Sequence, residues 1–288
     1  MELNETVALS ADQQIANDAQ VLSDQLSALR GRLFPPNASK TLRPFTSGEA
    51  ARLIGVSDGY LRQLSISGEG PSPETGAGGR RLYSLGDVNA LRRHLAGQSE
   101  AKARQYIKHR QQGEHLQVIA VTNFKGGSGK TTTAAHLAQY LALQGYRTLA
   151  IDLDPQASLS ALFGYQPELD LSGNDTLYGA IRYDDERVDL SSIIRQTYFD
   201  GLDIVPGNLE LQEFEHTTPQ HLIRRVEAGG DLFFARVQQA IRSVEANYDV
   251  VVIDCPPQLG YLTLSALCAA TSVVVTVHPQ MLDIASMS

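Results

Sequence analysis

The 288-residue sequence predicts an α/β fold: a doubly wound, mostly parallel sheet preceded by a small helical module. Three observations carry this. Apolar runs at Ile119–Val121, in "TLAID" (148–152), in "VVVID" (250–254) and in "SVVVTV" (272–277) lack the polar alternation of a half-exposed sheet, as expected of strands buried on both faces. The first run leads through a glycine-rich loop into a helical pattern, with Ala134, Leu137, Ala138 and Leu141 at helical spacing. Charge is also uneven: residues 1–115 hold 14 Lys/Arg against 12 Asp/Glu, and residues 116–288 hold 10 against 20. That asymmetry fits a basic module joined to an acidic one.

Bulk properties exclude several classes. A hydrophobic fraction of 42% with 19% charged residues and a net charge of −8 is ordinary for a globular chain. Cys255 and Cys268 provide neither a disulfide framework nor a metal cluster, and both read as small buried hydrophobes. "MELNETVALS" lacks the apolar core of a signal peptide. No segment approaches the roughly 20 apolar residues of a membrane span. The expected location is the cytoplasm, with no membrane partner.

The elements follow in order. Residues 1–40 contain Ile15, Ala19, Leu22, Leu26 and Leu29 at alternating steps of four and three, the stripe of an amphipathic helix about two heptads long. A dimer partner and the remainder of the same chain are equally compatible with it. Gly31 and "PPN" (35–37) are expected to end the helix. Within 41–97, Thr46 and Glu49 form a capping-box pattern. Ala50, Leu53 and Ile54 give that helix an apolar side, Gly55 permits a sharp turn, and Ser57 can cap a second helix to about Leu64. Two short helices across a glycine turn make a helix-turn-helix pattern. "GRRLYS" then reads as a short strand tipped by Arg80 and Arg81, followed by a helix around 85–96. Residues 98–116 read as a basic helical linker. Between 80 and 110 there are 8 basic and 2 acidic residues, a density that also suits a solvated helix face. Residues 117–288 hold the sheet.

"NFKGGSGKTTT" (123–133) joins the first strand of that sheet to its helix. Strand, glycine loop and helix N-terminus make a phosphate cradle, because free backbone N–H groups and the helix dipole face the anion. The cradle spans Lys125, Gly126, Gly127, Ser128, Gly129, Lys130, Thr131 and Thr132. Lys130 is placed to reach β/γ-phosphates and the Thr131 hydroxyl to ligate Mg²⁺. Asp152 and Asp154 end a second strand, with Asp154 lying 24 residues after Lys130, and Asp254 ends a third. Carboxylates at strand ends on the phosphate side can hold Mg²⁺ through water and orient an attacking water.

Two resemblances add to this reading. Residues 45–96 resemble the MerR-like winged helix-turn-helix. This implies that the Ser57–Leu64 helix enters the major groove with Tyr60, Arg62 and Gln63 as contacts, while Arg80 and Arg81 meet backbone phosphates. "KGGSGKT" is the deviant Walker A form of the P-loop NTPases, with Phe124 where the standard loop has its first glycine. In families with this form the additional lysine, here Lys125, reaches the partner's phosphates across a dimer, in the manner of a finger supplied in trans. The resemblance gives Asp154 the hydrolytic water, Asp152 a supporting role near Mg²⁺, and Asp254 the Walker B position.

The arrangement as a whole resembles the ParA-type partition ATPases, in particular the RepA partition proteins of repABC plasmids. It implies an ATP- and Mg²⁺-dependent homodimer that binds operator and non-specific DNA and associates with the nucleoid. It further implies stimulation by a ParB-like centromere-binding partner and repression of its own operon. The alternatives are a DNA-binding repressor with a non-hydrolysing ATPase domain, or another MinD-like deviant Walker ATPase. Iron–sulfur carriers are disfavoured by the lack of a C-x-x-C, and MinD-like proteins by "MLDIASMS", which is not an amphipathic membrane helix. Family members continue beyond the strand at 271–279, so the sequence carries the expectation of an incomplete sheet with an exposed apolar edge.

Overall fold

The computed structural model describes residues 10–33, 40–71, 73–228 and 232–278. Two compact units divide the chain, residues 1–40 and 41–288.

The described part of the first unit is one helix, Ala11–Leu33. Ile15, Leu22, Leu26 and Leu29 are all exposed on it. The helix does not stop at Gly31 but continues to Leu33. A single helical glycine costs about 1 kcal/mol, too little to break a helix of this length by itself. The "PPN" stop signal lies outside the described residues.

In the second unit, a three-stranded antiparallel sheet of order β1-β3-β2 (β1 Phe45–Thr46, β2 Glu74–Thr75, β3 Arg81–Tyr83) accompanies three helices. The helix Ser47–Ile54 begins with the expected capping box: Thr46 Oγ1 accepts from the Glu49 amide, and the Glu49 carboxylate accepts from the Thr46 amide. It ends at Gly55, whose left-handed φ of 87° suits a residue without a Cβ. The second helix runs Asp58–Ser67, one turn past the expected end, with Ser57 as its N-cap. The third, Leu85–Gln98, opens on another capping box, Ser84 with Asp87, which the sequence analysis did not single out.

Residues 98–116 are not a continuous helix. After short helical turns at Glu100–Lys102 and Ala103–Tyr106, the chain is non-helical. Arg110 holds this stretch at the foot of the main sheet. Its amide donates to Asp249 Oδ1 (2.8 Å), and its guanidinium donates to the Tyr248, Glu114 and Glu245 carbonyls. Those tertiary bonds replace the i→i−4 ladder that the polar sequence could also have formed.

The main sheet has the order β6-β7-β5-β8-β4-β9. Its strands are β4 Gln117–Thr122, β5 Thr148–Asp152, β6 Arg195–Gln196, β7 Leu202–Val205, β8 Val250–Asp254 and β9 Ser272–Val275. Only β6 runs antiparallel to its neighbour. Every residue of β5 and β8 is buried. Successive residues of β8 point to opposite sides: Val250 and Val252 join one core, Val251 and Ile253 the other. Both faces are therefore covered, as continuous apolar runs require. At the edge, β9 leaves Val273 and Val275 exposed.

One face is covered by the helix Lys130–Leu143, which buries Ala134, Ala135, Ala138 and Ala142. Leu137 and Leu141, expected on the same stripe, are only half-buried, because the small alanines bring the helix backbone close to the sheet and leave the larger chains at its rim. The core on this side is continuous with that of the 45–95 segment, through residues such as Ile54, Leu64, Leu91 and Leu95. Arg92 sits in the junction, 3% exposed. Its Nη2 donates to the C-terminal carbonyls of two helices, Leu53 O and Leu143 O, both at 2.7 Å. Burial pushes the Arg92 pKa down to about 10. A guanidinium there remains charged at neutral pH and suits the negative ends of two helix dipoles.

Candidate functional site

Strand register places the functional side chains. Asp152 on β5 pairs with Asp254 on β8, and Asp254 pairs with Val121 on β4. Both carboxylates and the start of the glycine loop thus lie level at the carboxyl ends of adjacent parallel strands, where open α/β sheets bind ligands.

Gly127 (φ +73°) and Gly129 (φ +83°) hold the loop in left-handed conformations. A Cβ added at Gly126, Gly127 or Gly129 would meet no atom within 4 Å. Protein packing therefore does not demand glycine at these three positions; the space beside them is open, as an anion cradle requires. Gly129 caps the Lys130–Leu143 helix without a side-chain hydrogen bond. The positive helix end is left to an anion rather than to a capping hydroxyl. Lys130 is buried, and its Nζ donates to Lys125 O at 3.1 Å. Lys125 is exposed at the start of the loop.

The three aspartates differ sharply. Asp152 is fully buried and occupied: Oδ2 accepts from the Ser160 amide (2.8 Å) and hydroxyl (2.7 Å), and Oδ1 from the Asp154 amide (3.3 Å). Burial still raises its pKa, against those hydrogen bonds. Ser160 Oγ in turn accepts from the Gly207 amide, so Asp152 ties the Asp154 turn, the Ser158–Leu162 helix and the segment at Gly207 together. Asp154 is partly exposed and accepts from the Gln156 amide at 2.9 Å. Asp254 is buried, and neither carboxylate oxygen receives a hydrogen bond. Burial and then the Asp152 charge push its pKa up to about 7, while the neighbouring Thr131 and Lys130 pull the other way. An orphaned buried carboxylate beside an open anion cradle fits a divalent cation, which would supply the missing ligand contacts.

The other sequence-predicted residues lie in the 45–95 segment. Tyr60, Arg62 and Gln63 are exposed on the Asp58–Ser67 helix, opposite the buried Leu61 and Leu64, and Tyr60 OH reaches Gln98 Oε1 at 3.5 Å. Arg80 is exposed at the tip before β3, and Arg81 is half-buried in it. Cys255 is buried as expected, but Cys268 is exposed, because the Tyr261–Ala269 helix turns it outward. Sequence reasoning missed Ser160 and Gly207, which carry no motif and reach Asp152 only through the fold.

A fold of this kind with this loop defines a nucleotide-binding α/β domain, and comparison with known proteins agrees. Residues 116–287 match a family model described as an AAA domain. The chain belongs to this family. It is 58% identical over 270 residues to a Rhizobium rhizogenes protein named "Putative replication protein A", covering 94% of this chain and 66% of that protein. It is 33% identical to the protein SopA of Escherichia coli K12, covering 87% of this chain and 63% of SopA. A plasmid partition protein from Borrelia burgdorferi, solved with AMPPNP, superposes with a TM-score of 0.50 at 25% identity, covering 60% of this chain and 68% of that one. The chain thus spans about two thirds of the length of these relatives. Among the described residues, no helix is long and apolar enough to cross a membrane.

Proposed function

We propose that this chain is a partition ATPase that binds ATP and Mg²⁺ at the Gly126–Thr132 cradle and hydrolyses ATP as a homodimer. The observation that carries this reading is Asp254: a buried carboxylate without a hydrogen bond, level with Asp152 and the loop. The backbone amides of Gly127–Thr132 and the Lys130 ammonium bind the phosphates. Thr131 and Asp254 hold Mg²⁺, partly through water, and Asp152 steadies the loop that carries Asp154. Mg²⁺, when bound, neutralises charge on the phosphate oxygens. Asp154, the more accessible carboxylate, orients the attacking water. Lys125, exposed at the loop's start, is placed to reach a second copy's phosphates.

The 41–97 segment serves as the DNA-binding module. Tyr60, Arg62 and Gln63 read base edges, and Arg80 and Arg81 contact phosphates at operator sites. A ParB-like protein is the proposed stimulating partner, with operation on the nucleoid and repression of the chain's own operon.

The test separates the two lysines. Lys130→Ala is expected to abolish nucleotide binding. Lys125→Ala is expected to bind ATP normally but to lose ATP-dependent dimerisation and turnover. Nucleotide titration and sedimentation of both variants decide it, and a Lys125 variant that dimerises normally removes the trans role. For DNA, Arg62→Ala should cost about 1–3 kcal/mol at operator sites only. Arg80→Ala should weaken all sequences and flatten the salt dependence.

A further inference from the structure

The phosphate loop is braced from a direction that its own motif does not supply. The chain leaving β9 runs past the loop, and two of its side chains touch it. Thr276 Oγ1 lies 3.0 Å from Ser128 Oγ, and His278 Nε2 lies 2.8 Å from Gly127 O. The Thr276 carbonyl accepts from Asn123 Nδ2, and Asn123 Oδ1 in turn accepts from the Lys125 amide at 2.9 Å. The Thr276 amide also continues the β4–β9 ladder onto Thr122 O. Residues on both sides of the loop's first turn are therefore tied to one short segment, 276–278.

The His278 contact has a specific consequence. In a trans peptide the C=O and the following N–H point in opposite directions. A donor on Gly127 O therefore turns the Ser128 N–H away from His278. Gly127 is a glycine at φ +73° with open space around it, so little else prevents that peptide from flipping. A flipped Gly127–Ser128 peptide would present a carbonyl oxygen, not an N–H, to an anion. Thr276 holds the residue on the other side of that peptide, Ser128, by its hydroxyl.

We propose that Thr276 and His278 are positioning residues for the phosphate loop: they hold the Gly127–Ser128 peptide in the orientation that receives phosphate. This rests on the nucleotide-binding reading given above. Neither residue touches the nucleotide; both act through Gly127 and Ser128.

The experiment titrates a fluorescent ATP analogue with Mg²⁺ into the whole chain and records melting of each nucleotide-free variant. Wild type is compared with His278→Leu, His278→Gln, Thr276→Val and Thr276→Ser, and Lys130→Ala serves as the control for the site. One lost hydrogen bond of ordinary strength corresponds to about five-fold in affinity. His278→Leu and Thr276→Val should each weaken binding by about that factor without lowering the nucleotide-free melting temperature. His278→Gln, whose amide can still donate, and Thr276→Ser, which keeps the hydroxyl, should recover wild-type affinity. Leucine and valine variants that bind as tightly as wild type overturn the positioning role, as do glutamine and serine variants as weak as their apolar counterparts. If Lys130→Ala binds the analogue as well as wild type does, or wild type does not bind it, the nucleotide reading itself falls, and the bracing role with it.

Discussion

Two buried aspartates mark the two ends of one strand and have opposite surroundings. Asp249 immediately precedes β8 and Asp254 is its last residue, about 17 Å apart along an extended chain. Asp249 accepts four hydrogen bonds: from the Arg110 amide (2.8 Å), the Arg147 amide (2.8 Å), Arg147 Nε (3.1 Å) and Arg147 Nη2 (2.7 Å). Burial alone would raise its pKa, but the Arg147 guanidinium and the two amides outweigh that and hold it below the ordinary value. Asp254 accepts none, and its pKa rises to about 7. At the foot of the sheet a carboxylate closes the structure. At the top, an equally buried carboxylate is left open to something the chain does not itself provide. Unsatisfied burial is costly, so its persistence beside the cradle is what distinguishes a site from a scaffold.

The comparison can be broken first at its functional end. Asp254→Asn should lower ATP turnover by about 10²–10³-fold. The same substitution should stabilise the nucleotide-free protein, by roughly 2 kcal/mol at pH 8, since it removes a buried charge that Thr131 and Lys130 only partly offset. Steady-state turnover and thermal melts of one preparation test both halves. A variant that loses stability as well as activity would place Asp254 among the structural carboxylates.

At the other end, Asp249→Asn should destabilise the fold by about 3 kcal/mol, because an amide N–H would then face donors on Arg147 or Arg110. Turnover per folded molecule should not change. Chemical denaturation with activity measured on the folded fraction tests this, and a selective loss of turnover would show that the foot of the sheet is coupled to the site.

The smaller effect is in pH. The folded pKa of Asp254 is raised, so the folded state keeps a proton that the unfolded chain releases between about pH 4 and pH 7, and stability falls as pH rises through that window. The melting-temperature gain of Asp254→Asn over wild type should therefore grow from pH 5 to pH 8, and Mg-ATP should shrink it. Asp249 has a depressed folded pKa; its contribution is present above the unfolded value and is lost as pH falls through the folded one. The deficit of Asp249→Asn should accordingly be constant from pH 5 to pH 8 and narrow only in acid. Parallel pH dependences for the two variants would erase the distinction.

Much of the local architecture was legible in the sequence. The Thr46–Glu49 capping box, the Gly55 turn and the strand–loop–helix around Lys130 each depend on residues a few positions apart, and each is observed. The helical reading of 98–116 failed because Arg110 is held by partners more than a hundred residues away: Asp249 itself and the Tyr248 and Glu245 carbonyls just before it.

Sequence alone marked a candidate phosphate cradle and the apolar strands β5 and β8 that prove buried on both faces, because hydrogen-bond geometry and side-chain periodicity act within a turn or a strand. The equally apolar β9 lies exposed at the sheet edge. Tertiary structure decided which carboxylate is satisfied. Asp152 and Asp254 both follow an apolar strand, yet only Asp152 meets Ser160, and only Asp249 meets Arg147. It also decided that residues 276–278 brace a loop some 150 positions earlier. The reason is that parallel strands adjacent in the sheet are joined by long crossovers, so the order β5-β8-β4-β9 brings together side chains that no sequence spacing relates.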